Sequence, residues 1–472
     1  MKAEIKFGTD GWRAIIADTY TVENVARVSE AVAIWLKKEV KGTPSVLIGY
    51  DCRFGGQLFM HTAAKVLVAH GIHVVMDENF VSTPMISLGA TVHKVDLGIV
   101  ITASHNPPSY NGYKLKANYG GPLAPEKVQE VQDLIPEDVS VDYEGIAIAD
   151  AKAAGTVRCV DLEQEYCDHV AKNFDLEAIR KANLNFAYDA MYGAGQNVMK
   201  RLLPEIDFLH CDYNPSFKGQ APEPISKNLQ ELEAFLVENK QIDCAFATDG
   251  DADRIGLYNG KGEFIDSHHV ILLLIHYLVK YKGLSGKVVT AFSCTPRIEK
   301  MCQHYGIPHQ TVKIGFKYVA GIMVQEDVLL GGEESGGIAV KGHVPERDGI
   351  WMGLIIWEFM AKSGRTLDSL IDEVYEIVGA FKFERNDLHI KETTKQAIIK
   401  QCEANAYTKF GEYTVERIET IDGFKFHFPN DRWVMIRPSG TEPVLRVYAE
   451  APDLNEVRTI LKVVEEEILS GF

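Results

Sequence analysis

The chain of 472 residues is short of basic side chains and of long apolar runs. Lys and Arg total 49 against 66 Asp and Glu, a formal charge of −17. So acidic a surface is a poor partner for nucleic acid or an anionic membrane, and neither is expected. An anionic small molecule stays open, because one pocket can be basic within an acidic protein. The apolar stretches around 270–279 and 350–360 are too short or too interrupted to span a bilayer. The N-terminal MKAEIKFGTDGWRA lacks the apolar core of a signal peptide. The eight cysteines stand singly and none forms CxxC. They are expected as reduced thiols in a cytoplasmic protein, without a disulfide framework or a zinc site.

Against these absences, 46% of the residues are apolar, enough for several packed cores. Short apolar runs alternate with helix-period stretches. VLIGYD (46–51) leads into a helical segment stopped by Gly71, and HVVMD and DLGIVITAS read as further strands. NFAYDAMYGAG (185–195) repeats the pattern of VLIGYDCRFGG, and VVTAFSCTPRI (288–298) repeats it with Ser293 in place of the Asp. Each is followed by a second run that ends in a polar loop. Three related α/β units are predicted, with buried strands. The last hundred residues alternate apolar and polar positions, and an amphipathic helix follows Pro452, the pattern of an α+β domain. Boundaries are expected within 137–155, near 255–262 and near 364–379.

Four loops carry chemistry. In Asp249-Gly250-Asp251-Ala252-Asp253-Arg254, three carboxylates occupy alternate positions behind an apolar run. At a separation of about 4 Å, two such charges repel by ~1 kcal/mol in water and ~4 kcal/mol at an effective dielectric of 20. The cluster calls for a hard cation, Mg²⁺ or Ca²⁺, and a capped turn would need only one Asp. The spacing is not that of an EF-hand. In Thr102-Ala103-Ser104-His105-Asn106-Pro107 a strand delivers Ser104 to a proline-stiffened loop, as a nucleophile or phosphate carrier or as part of an ordinary turn. Lys114 follows ten residues on, either a cation or base for that site or a solvated surface group. Gly331-Gly332-Glu333-Glu334-Ser335-Gly336-Gly337 exposes backbone, and Glu333 and Ser335 suit adjacent sugar hydroxyls. No GK[ST] follows, so it is no P-loop. Arg347 downstream adds a cation. Arg437-Pro438-Ser439-Gly440-Thr441-Glu442-Pro443, with Arg446 beyond, suits a phosphate. Near the start, Arg13 closes the loop FGTDGWR.

Together, FGTDGWR, TASHNP, DGDADR, GEESGG and RPSGTEP, in that order over residues 7 to 446, resemble the α-D-phosphohexomutase superfamily. The resemblance implies three related α/β domains and a C-terminal α+β domain around a central cleft, at residues 1–145, 150–256, 257–370 and 376–472. It implies that Ser104 is a phosphoserine, and that Asp249, Asp251 and Asp253 hold Mg²⁺ together with its phosphate. Arg254, Arg13, His105 and Lys114 would surround the transferring group, with Lys114 as acid–base candidate. Glu333, Ser335, Arg347 and Gly315, the last in a glucomutase-like GFK, would face the sugar. Arg437, Ser439, Gly440, Thr441 and Arg446 would hold the substrate's other phosphate. The implied activity converts hexose 1-phosphate to hexose 6-phosphate through a 1,6-bisphosphate, with glucose 1,6-bisphosphate as activator, in a monomer or homodimer. TASHNPPSYNGYK and GEESGG look more like phosphoglucomutases than phosphoglucosamine mutases, which usually carry SASHNP and GEQSGH; mannose and glucosamine phosphates are the alternative substrates. A metal-dependent sugar phosphatase and a non-catalytic relative are the more remote readings.

Overall fold

The computed structural model describes residues 4–8, 10–438 and 444–470. The chain folds as two compact units, Met1–Val289 with Gly315–Leu370, and Thr290–Ile314 with Ile371–Phe472. All eight cysteines are free, and seven are buried. Among the described residues no helix is long and apolar enough to cross a membrane. The two most apolar stretches fall in the buried helices Ser267–His276 and Gly349–Ser363.

In the first unit, a six-stranded sheet runs Trp12–Ile15, Tyr110–Ala117, Leu97–Ile101, Ser45–Tyr50, His73–Met76, Val157–Cys159. Ser45–Tyr50 pairs in parallel with both Leu97–Ile101 and His73–Met76. The strand Leu97–Ile101 is buried along its whole length, which is why LGIVI reads as a continuous apolar run rather than an alternating one. The helices Val22–Glu39 and Thr83–Val92 are capped by Thr21 and Ser82, whose side chains accept from Asn24 N and Met85 N. Because the strands Ser45–Tyr50 and Leu97–Ile101 are parallel neighbours, their C-terminal ends lie side by side, and Asp51 N donates to Ile101 O at 3.1 Å. The Asp51 turn and the Ser104 loop therefore leave the sheet together.

A second sheet of this unit runs Phe264–Ile265, Ile255–Asn259, Cys244–Thr248, Phe186–Asp189, Asp207–Leu209. Its buried strand Cys244–Thr248 returns antiparallel as Ile255–Asn259, with Thr248 opposite Ile255. That register closes residues 249–254 into one tight hairpin loop and brings the three Asp side chains together. The repeat expected from sequence appears in local geometry: Asp51 Oδ1 accepts from Arg53 N at 2.9 Å, and Asp189 Oδ1 accepts from Met191 N at 2.7 Å. A further hairpin, Val328–Gly332 with Ile338–Val340, has Gly332 opposite Ile338, so Glu333–Gly337 form its tip. Ile255 N donates to Gly336 O at 3.1 Å, which sets that tip beside the Asp loop.

In the second unit, five antiparallel strands run Lys382–His389, Val444–Ala451, Arg432–Pro438, Phe424–Phe428, Arg417–Glu419, and the helix Leu454–Leu469 follows with its N-cap at Asp453. Val457, Ile460, Leu461 and Val464 of the helix bury against Phe426, Val434 and Val447. The segment 290–314 belongs to this unit because Phe292 packs with Trp433, Met435 and Tyr448, and Arg297 Nε meets Glu450 at 2.9 Å. Lys425 Nζ lies over the Phe292 and Trp433 rings and donates to Cys294 O at 2.9 Å.

Candidate active site

The alternating Asp loop and the strand-end serine meet in the first unit. Asp249, Asp251 and Asp253 are fully buried, and each offers a carboxylate oxygen within 4.8 Å of the other two. Ser104 is buried as well, and its Oγ donates to Asp249 Oδ2 at 2.7 Å. Gly250 permits the approach, since a Cβ there would come within 2.5 Å of Ser104 O. The other Asp249 oxygen accepts from Asp253 N at 2.9 Å and Arg254 N at 3.1 Å, which fixes the loop.

Cations gather around the acids. Lys114, opposite Val100 in the antiparallel pair, reaches Asp251 at 2.8 Å, Asp253 at 3.1 Å and Asp10 at 2.8 Å. Its side chain is 1% exposed, so it is no surface lysine. Burial alone would lower its pKa, but Asp10, Asp251 and Asp253 overcome this and hold it well above the usual lysine range. The lowered pKa that a resting general base would need is not found. Arg347 meets Asp253 at 2.8 Å and also pairs with Asp10, while its guanidinium lies over the Phe316 ring. Arg347 thus sits on the acidic loop itself. Arg13 donates to Asn106 Oδ1 at 2.7 Å, within the Ser104 loop. His105 Nδ1 is 3.4 Å from Ser104 Oγ, and burial, followed by Arg254 and Arg13, pushes its pKa well below the usual histidine range, so the ring is neutral. Arg254 Nε is buried with no hydrogen-bond partner among the described residues.

At the neighbouring hairpin tip, Gly315 N donates to Glu333 Oε1 at 2.9 Å, which brings the GFK and GEESGG segments together. Ser335 lies half-buried in the same tip. Burial pushes the Glu333 carboxyl up to about 7 against the opposing pull of Arg347. A Cβ at Gly337 would come within 2.5 Å of Arg347 Cδ, so a larger side chain there would force the arginine side chain to shift. In the second unit, Arg437 and Arg446 face each other across neighbouring strands. Arg437 pairs with Asp422 at 3.3 Å, and Arg446 Nε lies 3.8 Å from Asp387. Ser439, Gly440 and Thr441 lie outside the described residues.

Several residues were not singled out in the sequence. Thr83 Oγ1 donates to Asp251 Oδ2 at 2.5 Å. Asp10 gathers Arg347, Lys114, Lys116 and Arg13; burial would raise its carboxyl, and these four hold it well below the usual range. Lys116 pairs with Glu346 at 2.6 Å. Asp51 and Arg53 support the Ser104 loop. The only sequence signal for these two is the repeated strand-Asp-turn pattern.

Models of the phosphoglucomutase/phosphomannomutase family match along the chain: alpha/beta/alpha domain I over residues 4–141, domain II over 164–262, domain III over 266–378, and the C-terminal domain over 388–467. A Thermococcus kodakarensis phosphoglucomutase/phosphomannomutase is 31% identical over 98% of this chain and 99% of its own. The chain belongs to the phosphoglucomutase/phosphomannomutase family. A Methanococcus maripaludis phosphoglucosamine mutase is 30% identical over 99% of both chains. Among solved structures, a Thermus thermophilus protein assigned as a phosphomannomutase superposes with a TM-score of 0.87 at 31% identity, covering 99% of this chain and 100% of its own. These matches support phosphohexomutase activity.

A metal ion fits this family member's Asp loop on its own structural terms. Asp251 Oδ1 and Asp253 Oδ1 are buried without a hydrogen-bond partner among the described residues. Burial, then Asp253 and Asp251, push Asp249 well above the usual carboxylate range, the signature of a repelling cluster. A hard divalent cation would use those free oxygens and relieve the repulsion. Adding one is expected to raise the thermal unfolding midpoint, by the equivalent of about 2.7 kcal/mol at 100 times its dissociation constant. Calorimetry with and without the cation checks this. The shift should shrink in Asp251→Asn; equal shifts in both proteins would contradict the site.

Proposed function

We propose that this chain reversibly converts hexose 1-phosphate to hexose 6-phosphate, with glucose favoured, through a phosphoserine at Ser104 and a hexose 1,6-bisphosphate. The observation that carries this is the buried contact of 2.7 Å between Ser104 Oγ and Asp249, inside the three-Asp loop. A serine held there is a phosphoryl carrier with its counter-ion site already built. Asp249, Asp251 and Asp253 would hold Mg²⁺, which when bound supplies charge neutralisation to the transferring group. Phosphoserine gives its phosphoryl group to the free hydroxyl of the hexose phosphate. The bisphosphate turns over, and its other phosphoryl group returns to Ser104 Oγ.

Each remaining residue has a share in this chemistry. Arg254, with a buried and unpartnered Nε, and Arg13 neutralise the phosphoryl oxygens. His105, a neutral ring beside Ser104 Oγ, orients that oxygen. Lys114 is the acid–base group, donating to the oxygen that leaves phosphorus and recovering a proton from the hydroxyl that attacks. Glu333, held by the Gly315 amide, and Ser335 take the sugar hydroxyls, with Arg347 and Gly315 on the same side of the sugar. Arg437, Arg446 and the 439–441 segment take the non-reacting phosphate. Domain 1–145 contributes Arg13 and the Ser104 loop, 150–256 the Asp loop, 257–370 Gly315, the Glu333 tip and Arg347, and 376–472 the Arg437 segment.

Glucose is favoured by TASHNPPSYNGYK and GEESGG, which look more like the motifs of phosphoglucomutases, or glucose/mannose mutases, than of phosphoglucosamine mutases. Glucosamine phosphate is the second reading, favoured by the relative named a phosphoglucosamine mutase and by the adjacent carboxylates Glu333 and Glu334. Turnover of glucose, mannose and glucosamine 1-phosphates, each with Mg²⁺ and the matching 1,6-bisphosphate, decides. Glucose 1-phosphate should have the largest kcat/KM; turnover confined to glucosamine 1-phosphate would overturn the choice.

A pH profile tests Glu333. Burial raises its carboxyl to about 7, so its ionisation costs folding stability as pH rises through that value. The ionised form accepts from sugar hydroxyls most strongly. KM is therefore expected to rise as pH falls through about 7, and Glu333→Gln should flatten that limb. An unchanged limb in the variant would remove Glu333 from sugar binding.

A further inference from the structure

Ser104 has φ +53°, a left-handed backbone that costs a non-glycine residue energy and persists only where its surroundings impose it. The surroundings that impose it converge on Arg53. This side chain is fully buried in the turn between the strand Ser45–Tyr50 and the helix Gly56–Ala69. Its Nη2 donates to Ser104 O and Asn106 O, both at 2.6 Å. Its Nη1 donates to Pro107 O at 2.9 Å and Tyr110 O at 3.0 Å. Four carbonyls of one loop are thus gathered by one planar fork, which a lysine ammonium with three donors does not match. On the remaining edge, Arg53 Nε faces Asp51 Oδ2 at 3.3 Å. The same Asp51 oxygen accepts from Thr102 Oγ1 at 2.5 Å, and that hydroxyl accepts from Ser104 N at 2.9 Å. Both the amide and the carbonyl of Ser104 are therefore tied to the Asp51–Arg53 pair.

The flat face of the guanidinium is covered from the neighbouring α/β layer. The Phe217 ring lies 5.0 Å from Arg53 Cζ. Phe217 is buried, and it and Lys218 both adopt left-handed backbone, at φ +46° and +50°. Two consecutive strained residues deliver that ring. The carbonyl of Ser104 held by Arg53 is also the atom that Gly250 of the Asp loop approaches.

We propose that Arg53, held by Asp51 and Phe217, is a positioning residue that fixes the Ser104 backbone so that its Oγ points at Asp249. It acts on the rate of phosphoryl transfer and leaves substrate affinity alone. This rests on the mutase activity proposed above, and wild-type protein run alongside separates the two: no wild-type turnover overturns the mutase reading and the inference with it. Arg53→Lys and Phe217→Leu are assayed with glucose 1-phosphate, Mg²⁺ and glucose 1,6-bisphosphate, with unfolding midpoints recorded. In folded Arg53→Lys, kcat should fall about 100-fold with KM within about twofold of wild type, the scale of a misplacement of about 1 Å. Phe217→Leu should lower kcat about fivefold at unchanged KM, the scale of a lost cation–π contact. An active wild type with kcat retained in folded Arg53→Lys, or a loss carried by KM, overturns the inference. If Arg53→Lys does not fold, Phe217→Leu decides: a lower kcat at unchanged KM supports the positioning role, and an unchanged kcat overturns it.

Discussion

Three carboxylates buried within 4.8 Å of one another set the terms for the first unit. Like charges at such distances repel by several kcal/mol where water is scarce. The fold counters this locally. In the acidic cluster formed with Asp10, Lys114 reaches three members and Arg347 two, Thr83 donates to Asp251, and the backbone of the loop donates to Asp249. Two carboxylate oxygens remain buried and unpartnered among the described residues, so the compensation there stops short of completion. The remainder is left for a cation, and Ser104 is the hydroxyl placed to share it.

The charge of −17 gains a different meaning beside this arrangement. It describes a surface that repels polyanions. Inside, Arg13, Lys114, Arg254 and Arg347 are assembled from widely separated segments, beside a cluster of acids that could hold a metal. Asp10 is the hub of this exchange, contacting cations from three parts of the chain. On the proposed mutase chemistry, such a centre would accept a doubly phosphorylated sugar without any excess of positive charge in the composition.

What was legible in the sequence follows from how local each feature is. The strand VLIGYD, the apolar run before DGDADR and the C-terminal helix are each specified by contiguous residues, so periodicity exposes them. Ser104 and the Asp loop carried their chemistry in side-chain type and spacing. Arg53, Thr83 and Asp10 did not, because their roles exist only where residue 53 meets 104, residue 83 meets 251 and residue 10 meets 347. Lys114 shows the same limit in reverse. Its position was noticed, but not the three carboxylates that hold it as an ammonium. Likewise, the packing of 290–314 with the C-terminal residues depends on Phe292 and Arg297 finding Trp433 and Glu450, partners more than a hundred residues away.

The central claim is that Ser104, poised on the Asp loop, carries the phosphoryl group. The direct measurement is a transfer with glucose 1,6-bisphosphate labelled in both phosphates, followed by peptide mapping of the protein and then by a chase with unlabelled glucose 1-phosphate. The account predicts one label per chain, on Ser104, that leaves in hexose phosphates when the substrate is added. Label on another residue, or its release as inorganic phosphate alone, would contradict it.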